Sequence, residues 1–166
     1  GQFVSCLEDK LFQPAGFNWR AKYDKGNLIE KVYLNNVKEP YLNPNEGYVK
    51  YIAKYNERGR LIELSFFDTE EKPCLNNKGY AKVSYGYDEW GNVTEILFLG
   101  VDGKPCTDSS GVARCVMRYD ERGNKIEEAT SDTEGNPCLN AQGAAKMTAV
   151  CDSWGNVTEM TYWGTD

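Results

Sequence analysis

Histidine is absent from the 166 residues. That removes the commonest general base, the usual nitrogen ligand of metals, and the Ser-His and Cys-His dyads together. Long apolar runs are missing as well: no stretch approaches the roughly 18 residues a spanning helix needs, so membrane insertion is not expected. The opening GQFVSCLEDK has neither the basic n-region nor the apolar h-region of a signal peptide. Positive charge is also in short supply, with 19 Lys and Arg against 25 Asp and Glu and a formal net charge of −6. Nucleic-acid affinity rests on clustered cations that neutralise phosphates, so nucleic acid and anionic membrane surfaces are discounted as partners.

What the chain does have is enough apolar content, 40% against 27% charged, to bury a core, and a motif it writes repeatedly. YNERGR (55–60), YDEWGN (87–92), YDERGN (119–124) and CDSWGN (151–156) are near copies, with a shortened YDKGN at 23–27. Tyr23, Tyr55, Tyr87, Tyr119 and Cys151 follow at intervals of 32. Further columns keep step: Glu30, Glu63, Glu95, Glu127 and Glu159; Pro40, Pro73, Pro105 and Pro137; Gly47, Gly79, Gly111 and Gly143. A fixed period of this length marks an array of stacked units. The chain 1–166 divides into units of approximately 1–40, 41–73, 74–105, 106–137 and 138–166, the first irregular at YDKGN and EPYLNPNEG.

Within a unit, YAKVSYGYD and VTEILFLG are short, rich in β-branched and aromatic residues, and separated by a Gly-containing turn, the pattern of a β-hairpin. Gly91, Gly123 and Gly155 supply the positive φ such a loop needs, and Asp88, Asp120 and Asp152 can accept hydrogen bonds from the turn's own N–H groups. VDGKPC, TEGNPC and TEEKPC read as the reversal leading towards the next unit. No helical period is evident. The expected fold is all-β: about five 32-residue antiparallel hairpins, side by side in a twisted or curled sheet. Both faces of the return strand are partly apolar, which leaves an open ribbon, a rolled sheet and two packed layers all compatible.

The pattern Gly79, seven residues, then Tyr87-Asp88-x-x-Gly91-Asn92-Val93, with copies from Gly47, Gly111 and, with Cys for Tyr, Gly143, resembles the YD repeat of bacterial RHS-type surface and toxin-shell proteins. It is similar, more loosely, to hairpin arrays of the MORN kind. The unit departs from the RHS pattern in being longer, with an inserted GKPCLN segment. The resemblance implies a bacterial, exported or cell-surface, non-catalytic array that contacts carbohydrate or protein.

Four tip residues alternate: Arg58, Trp90, Arg122 and Trp154. Equivalent positions in adjacent hairpins lie roughly 10 Å apart, so a cation–π ladder along the tips is one expectation and a row of exposed aromatics that bind a partner is another. Against both stands a packing role, with each Trp folded back on its strand. Five stacked Glu residues would repel, and Lys22, Lys54, Lys82, Arg114, Arg118 and Lys146 are placed to pair with them. A carboxylate copied in every unit is not a catalytic pair, and the acidic connectors lack the alternating oxygen ligands of a calcium loop. No metal or cofactor is expected. Cys74, Cys106 and Cys138 share a column too widely spaced for mutual disulfides and read as small buried residues; Cys6, Cys115 and Cys151 have no repeat partners. Bridges Cys106–Cys115 or Cys138–Cys151 are compatible with the spacing, as is a fully reduced chain. The expectation is a non-catalytic module binding a glycan or protein partner through the sheet face and hairpin tips, with a spacer segment as the alternative. An enzyme pocket would have to be sought at Asn18, Trp19 and Arg20 in the irregular first unit.

Overall fold

Ten strands carry the regular structure of residues 18–165, which are those described by this computed structural model: β1 Asn18–Asp24, β2 Asn27–Leu34, β3 Lys50–Tyr55, β4 Leu61–Phe67, β5 Lys82–Tyr87, β6 Val93–Leu99, β7 Arg114–Tyr119, β8 Lys125–Ser131, β9 Lys146–Cys151 and β10 Val157–Trp163. They pair in sequence order into a single antiparallel sheet. Every repeated hexapeptide closes a hairpin, so the periodicity along the chain is a translation across the sheet.

Among the described residues β1 pairs only with β2 and β10 only with β9, and each strand touches just the strands beside it. The sheet is therefore an open ribbon of hairpins, neither closed into a barrel nor folded onto a second layer. No described residue is helical.

Each hairpin carries one irregularity at the same place. In the third unit Gly86 pairs with Glu95 but Tyr87 pairs with Val93, so Thr94 is skipped; the same shift falls at Lys22/Tyr23, Lys54/Tyr55 and Arg118/Tyr119, and between Val157 and Glu159. An extra residue on one strand is a β-bulge, which adds local twist.

Meander topology sets all hairpin tips along one long side of the sheet and all inter-hairpin connectors along the other. The connectors supply the missing cover. After β4 the chain reverses at Asp68–Lys72, bridges back through Phe67 and Pro73, and the Cys74 N–H donates to the Phe66 carbonyl. Phe98 and Cys106 repeat that contact, as do Thr130 and Cys138. Beneath these returns lie Tyr48, Phe66, Tyr80 and Val83, packed against Leu64, Tyr85, Ile96 and Phe98, with a second buried group of Val32, Leu34 and Val49 beside them. The core thus sits at the connector side, and the tips project from the other.

Candidate functional site

The tips owe their shape to one side chain. Asp88 N–H donates to the Asn92 carbonyl across the base of the turn, while Asp88 Oδ1 accepts from the N–H groups of Gly91 and Asn92 at 2.7 and 2.8 Å. The Asn92 amide closes the ring on Oδ2 at 2.8 Å. Asp120 with Asn124 and Asp152 with Asn156 repeat the asparagine contacts, the second backbone donor there being the N–H of Arg122 and of Trp154, and Gly91, Gly123 and Gly155 take φ of 104°, 84° and 85°, a region costly for any residue with a Cβ. In the second unit Asn56 does the same work through its amide oxygen, which accepts from Arg58 and Arg60 N–H at 3.0 Å. The amide of Asn124, then backbone N–H groups, hold the Asp120 carboxyl below the usual range, and Asn156 does so for Asp152.

On this rigid frame Trp90 and Trp154 are 73% and 85% exposed; neither folds back onto its strand. Arg58 and Arg122 do something else. Arg58 donates to the Glu89 carbonyl of the next tip at 2.8 Å, and Arg122 donates to the Ser153 carbonyl of the tip after its own. This corrects the expected cation–π ladder: a guanidinium long enough to reach the neighbouring turn finds a fixed carbonyl there, and a directed charge-assisted hydrogen bond outcompetes the diffuse attraction of a ring. Arg60 adds bonds to the carbonyls of Trp90 and Asp88 and lies over the Tyr87 ring at 5.8 Å. A Cβ on Gly91 would run into that guanidinium.

The repeated tyrosine is a second clamp. Tyr55, Tyr87 and Tyr119 hydroxyls donate to the carbonyls of Leu28, Leu61 and Val93, at 3.0, 2.6 and 2.9 Å, each on the preceding hairpin. Cys151 occupies the fifth copy and cannot make this bond.

All six cations singled out from the sequence pair with the Glu column. Glu63 is held between Lys54 and Lys82, and Glu127 between Arg118 and Lys146; Glu30 pairs with Lys22 and Glu95 with Arg114. One cation comes from within the hairpin and the other from the hairpin that follows, so like charges are interleaved with opposite ones. Gly86 stands where the first, second and fourth units have Lys22, Lys54 and Arg118, leaving Glu95 to the following hairpin alone.

Sequence reasoning missed a reversal. The connector contains two turns: Asn76 N–H donates to the Tyr80 carbonyl and Gly79 N–H to the Asn76 carbonyl, a geometry repeated at Asp108 and Asn140. The signal was present in NNKG, DSSG and NAQG, which share the Asx-x-x-Gly spacing of the tips. Cys74, Cys106, Cys115, Cys138 and Cys151 are free thiols, which settles the bridges left open above; Cys6 lies outside the described residues. Burial pushes the Cys115 thiol up to about 11, away from nucleophilic thiolate chemistry. Asn18, Trp19 and Arg20 lie along edge strand β1, with Lys31 Nζ 5.1 Å above the Trp19 ring. Asp132 Oδ1 accepts from the N–H groups of Glu134 and Asn136, as a turn former does.

No family model and no curated protein matches the chain. Among solved structures it is similar to the crystal structures of TcdB2-TccC3-Cdc42, of TcdB2-TccC3-TEV, and of TcdB2-TccC3 without its hypervariable C-terminal region. Identities are 16%, 16% and 15%, with TM-scores of 0.45, 0.44 and 0.43. The matches cover 87%, 87% and 89% of this chain and 8% of each of those chains. The likeness is a loose one, and the architecture stands on the ten paired strands themselves.

Proposed function

We propose that the chain is a non-catalytic repeat module of a bacterial exported or surface protein, which binds a glycan or protein partner at its hairpin tips. The observation that carries this reading is the exposure of Trp90 and Trp154 on turns whose backbones are fixed by Asx hydrogen bonds and by arginines from the preceding tips. Trp is costly to expose and strong at interfaces, and a rigid mount lowers the entropy lost on binding. Two hairpins apart, the indoles stand about 19 Å from one another at ~4.8 Å per strand, a span suited to an extended ligand. Arg58 and Arg122 act in this reading as mounts rather than contacts. A spacer role is the second reading, favoured by the clamps that join each hairpin to the next.

A glycan array, with a surface-protein panel beside it, decides between them when read together with tryptophan emission. Binding that shifts the emission, and that Trp90→Ala with Trp154→Ala abolishes without moving the melting temperature, supports the module. Substitutions that unfold the chain, or binding that survives them, would leave the tips as structure only.

A further inference from the structure

Two related recesses open on the sheet face that turns away from the aromatic core. Side chains alternate along a strand, so Ile52, Glu63, Phe67 and Lys82 lie on the face opposite Leu64, Phe66 and Val83. In the seam between the second and third units Ile52, Phe67, Pro73 and Val101 wall a recess of about 350 Å³. Two units on, Val116, Pro137 and Lys146, from the columns of Ile52, Pro73 and Lys82, help to line another of about 500 Å³, to which Trp163 adds a wall. Volumes of this order, with apolar sides and few polar groups, suit small molecules.

The polar groups of the first recess carry a surplus of charge. Glu63 meets Lys54 Nζ at 2.8 Å through Oε1 and Lys82 Nζ at 3.3 Å through Oε2, and all three side chains line the recess. Two ammonium groups on one carboxylate leave one positive charge at its rim. Asp102, on the turn that carries Val101, does not cancel it, because its carboxylate accepts from the Lys104 N–H. The second recess has the same surplus beside it, with Glu127 between Arg118 and Lys146. In the third unit Gly86 takes the place of Lys54, so Glu95 has Arg114 alone and the charges balance.

We propose that the recess between the second and third units binds a small monocarboxylic acid with an apolar body. The carboxylate sits on Lys82 and Lys54, and the body lies against Ile52, Phe67 and Val101. An ammonium group has three donors, so each lysine can keep Glu63 and still donate to a second carboxylate. Such charge-assisted bonds are strong, the more so in a partly enclosed site, and the apolar body leaves water at the same time. One surplus charge matches one carboxylate: a neutral ligand leaves it unmatched, and a cation is repelled. The recess lies between the Glu column and the connectors, so it is separate from the tips and does not depend on what binds Trp90 and Trp154.

Titration of the isotope-labelled full chain with hydrocinnamate, and in parallel with its neutral amide, tests this through backbone amide chemical shifts. The acid should shift the amides of Ile52, Ala81, Lys82 and Val101 saturably and bind about tenfold more tightly than the amide, the difference a charge-assisted contact makes. Lys82→Gln removes the surplus while leaving Glu63 its partner Lys54, and should weaken acid binding about tenfold with amide binding unchanged. Val101→Asp, on an exposed turn, sets a carboxylate at the mouth and should also weaken the acid. Circular dichroism checks that both variants keep the sheet. The proposal is overturned by the absence of saturable shifts at millimolar acid, by shifts confined to the tips, by equal affinity for acid and amide, or by acid binding that both substitutions leave intact.

Discussion

Units one to three differ from units four and five in what lies beneath the connectors. In the former, rings follow one another across the sheet: Tyr33, Tyr48, Phe66, Tyr80 and Phe98, with successive centroids 5.7, 4.6, 5.9 and 4.5 Å apart. In the latter the same columns hold Val112, Thr130 and Ala144, all buried, and then Tyr162, which is exposed. Turns, bulges and strand register do not change between the two halves. Hydrogen-bonded turns and the ladder thus specify the architecture, while aromatic burial sets how firmly each part is held. In a linear array, where each unit contacts only its neighbours, such a difference stays local.

The largest test of that comparison is to delete one rung on each side. Phe66→Ala should cost about 3–5 kcal/mol, in the range of buried aromatic truncations. Thr130→Ala, at the equivalent position, removes hydrogen bonds to the Cys138 and Ala145 carbonyls and should cost about 1 kcal/mol. Urea unfolding gives both numbers, and hydrogen exchange should find β9 and β10 opening before β4 to β6. Equal costs would mean that the rings are not what separates the halves.

A smaller effect concerns the inter-hairpin clamp. Tyr119→Phe deletes the hydroxyl bond to the Val93 carbonyl and should lose about 1 kcal/mol, whereas Cys151→Tyr should gain a similar amount by reaching the Lys125 carbonyl. The gain would appear as slower exchange in β8 to β10. A destabilised Cys151→Tyr protein would show that the fifth unit has drifted from the seam geometry of the others.

Much of this was legible in the chain because turns and strand alternation are local. Asp88 and Gly91 announce a tip wherever they fall, and a strict period converts one hairpin into five. The Glu column was readable for the same reason, since five like charges demand cations and the sequence places them one strand away. What could not be read was the exchange of roles between neighbours. That Arg58 caps a carbonyl of the next tip instead of stacking on Trp90 depends on the offset between adjacent turns, which leaves no mark in composition. The second connector turn was missed because the Gly- and Pro-containing segments such as VDGKPC were read as the whole reversal, although the spacing of NNKG equals that of the tips.

The smallest predicted effect returns to the comparison through pH. Asp120 and Asp152 have carboxyl groups held below their ordinary range, chiefly by the amides of Asn124 and Asn156 and then by backbone N–H groups. A depressed folded value means that the stabilisation is complete above the unfolded carboxylate pKa of about 3.9 and is lost as pH falls through the folded value. Stability of the last two tips should therefore be flat from neutral pH down to about 5 and decline below about 4. The tip of the second unit carries Asn56, whose amide oxygen makes the same two backbone contacts without titrating, so it should stay closed where the others open. Asp120→Asn with Asp152→Asn should lower stability slightly at pH 7 and remove that tip-specific acid limb. Amide exchange at Gly123 and Gly155, compared with Gly59 between pH 5 and 3, reads the difference directly, and a tip at Gly59 that opened in step with the others would show that the carboxylates are not what acid releases.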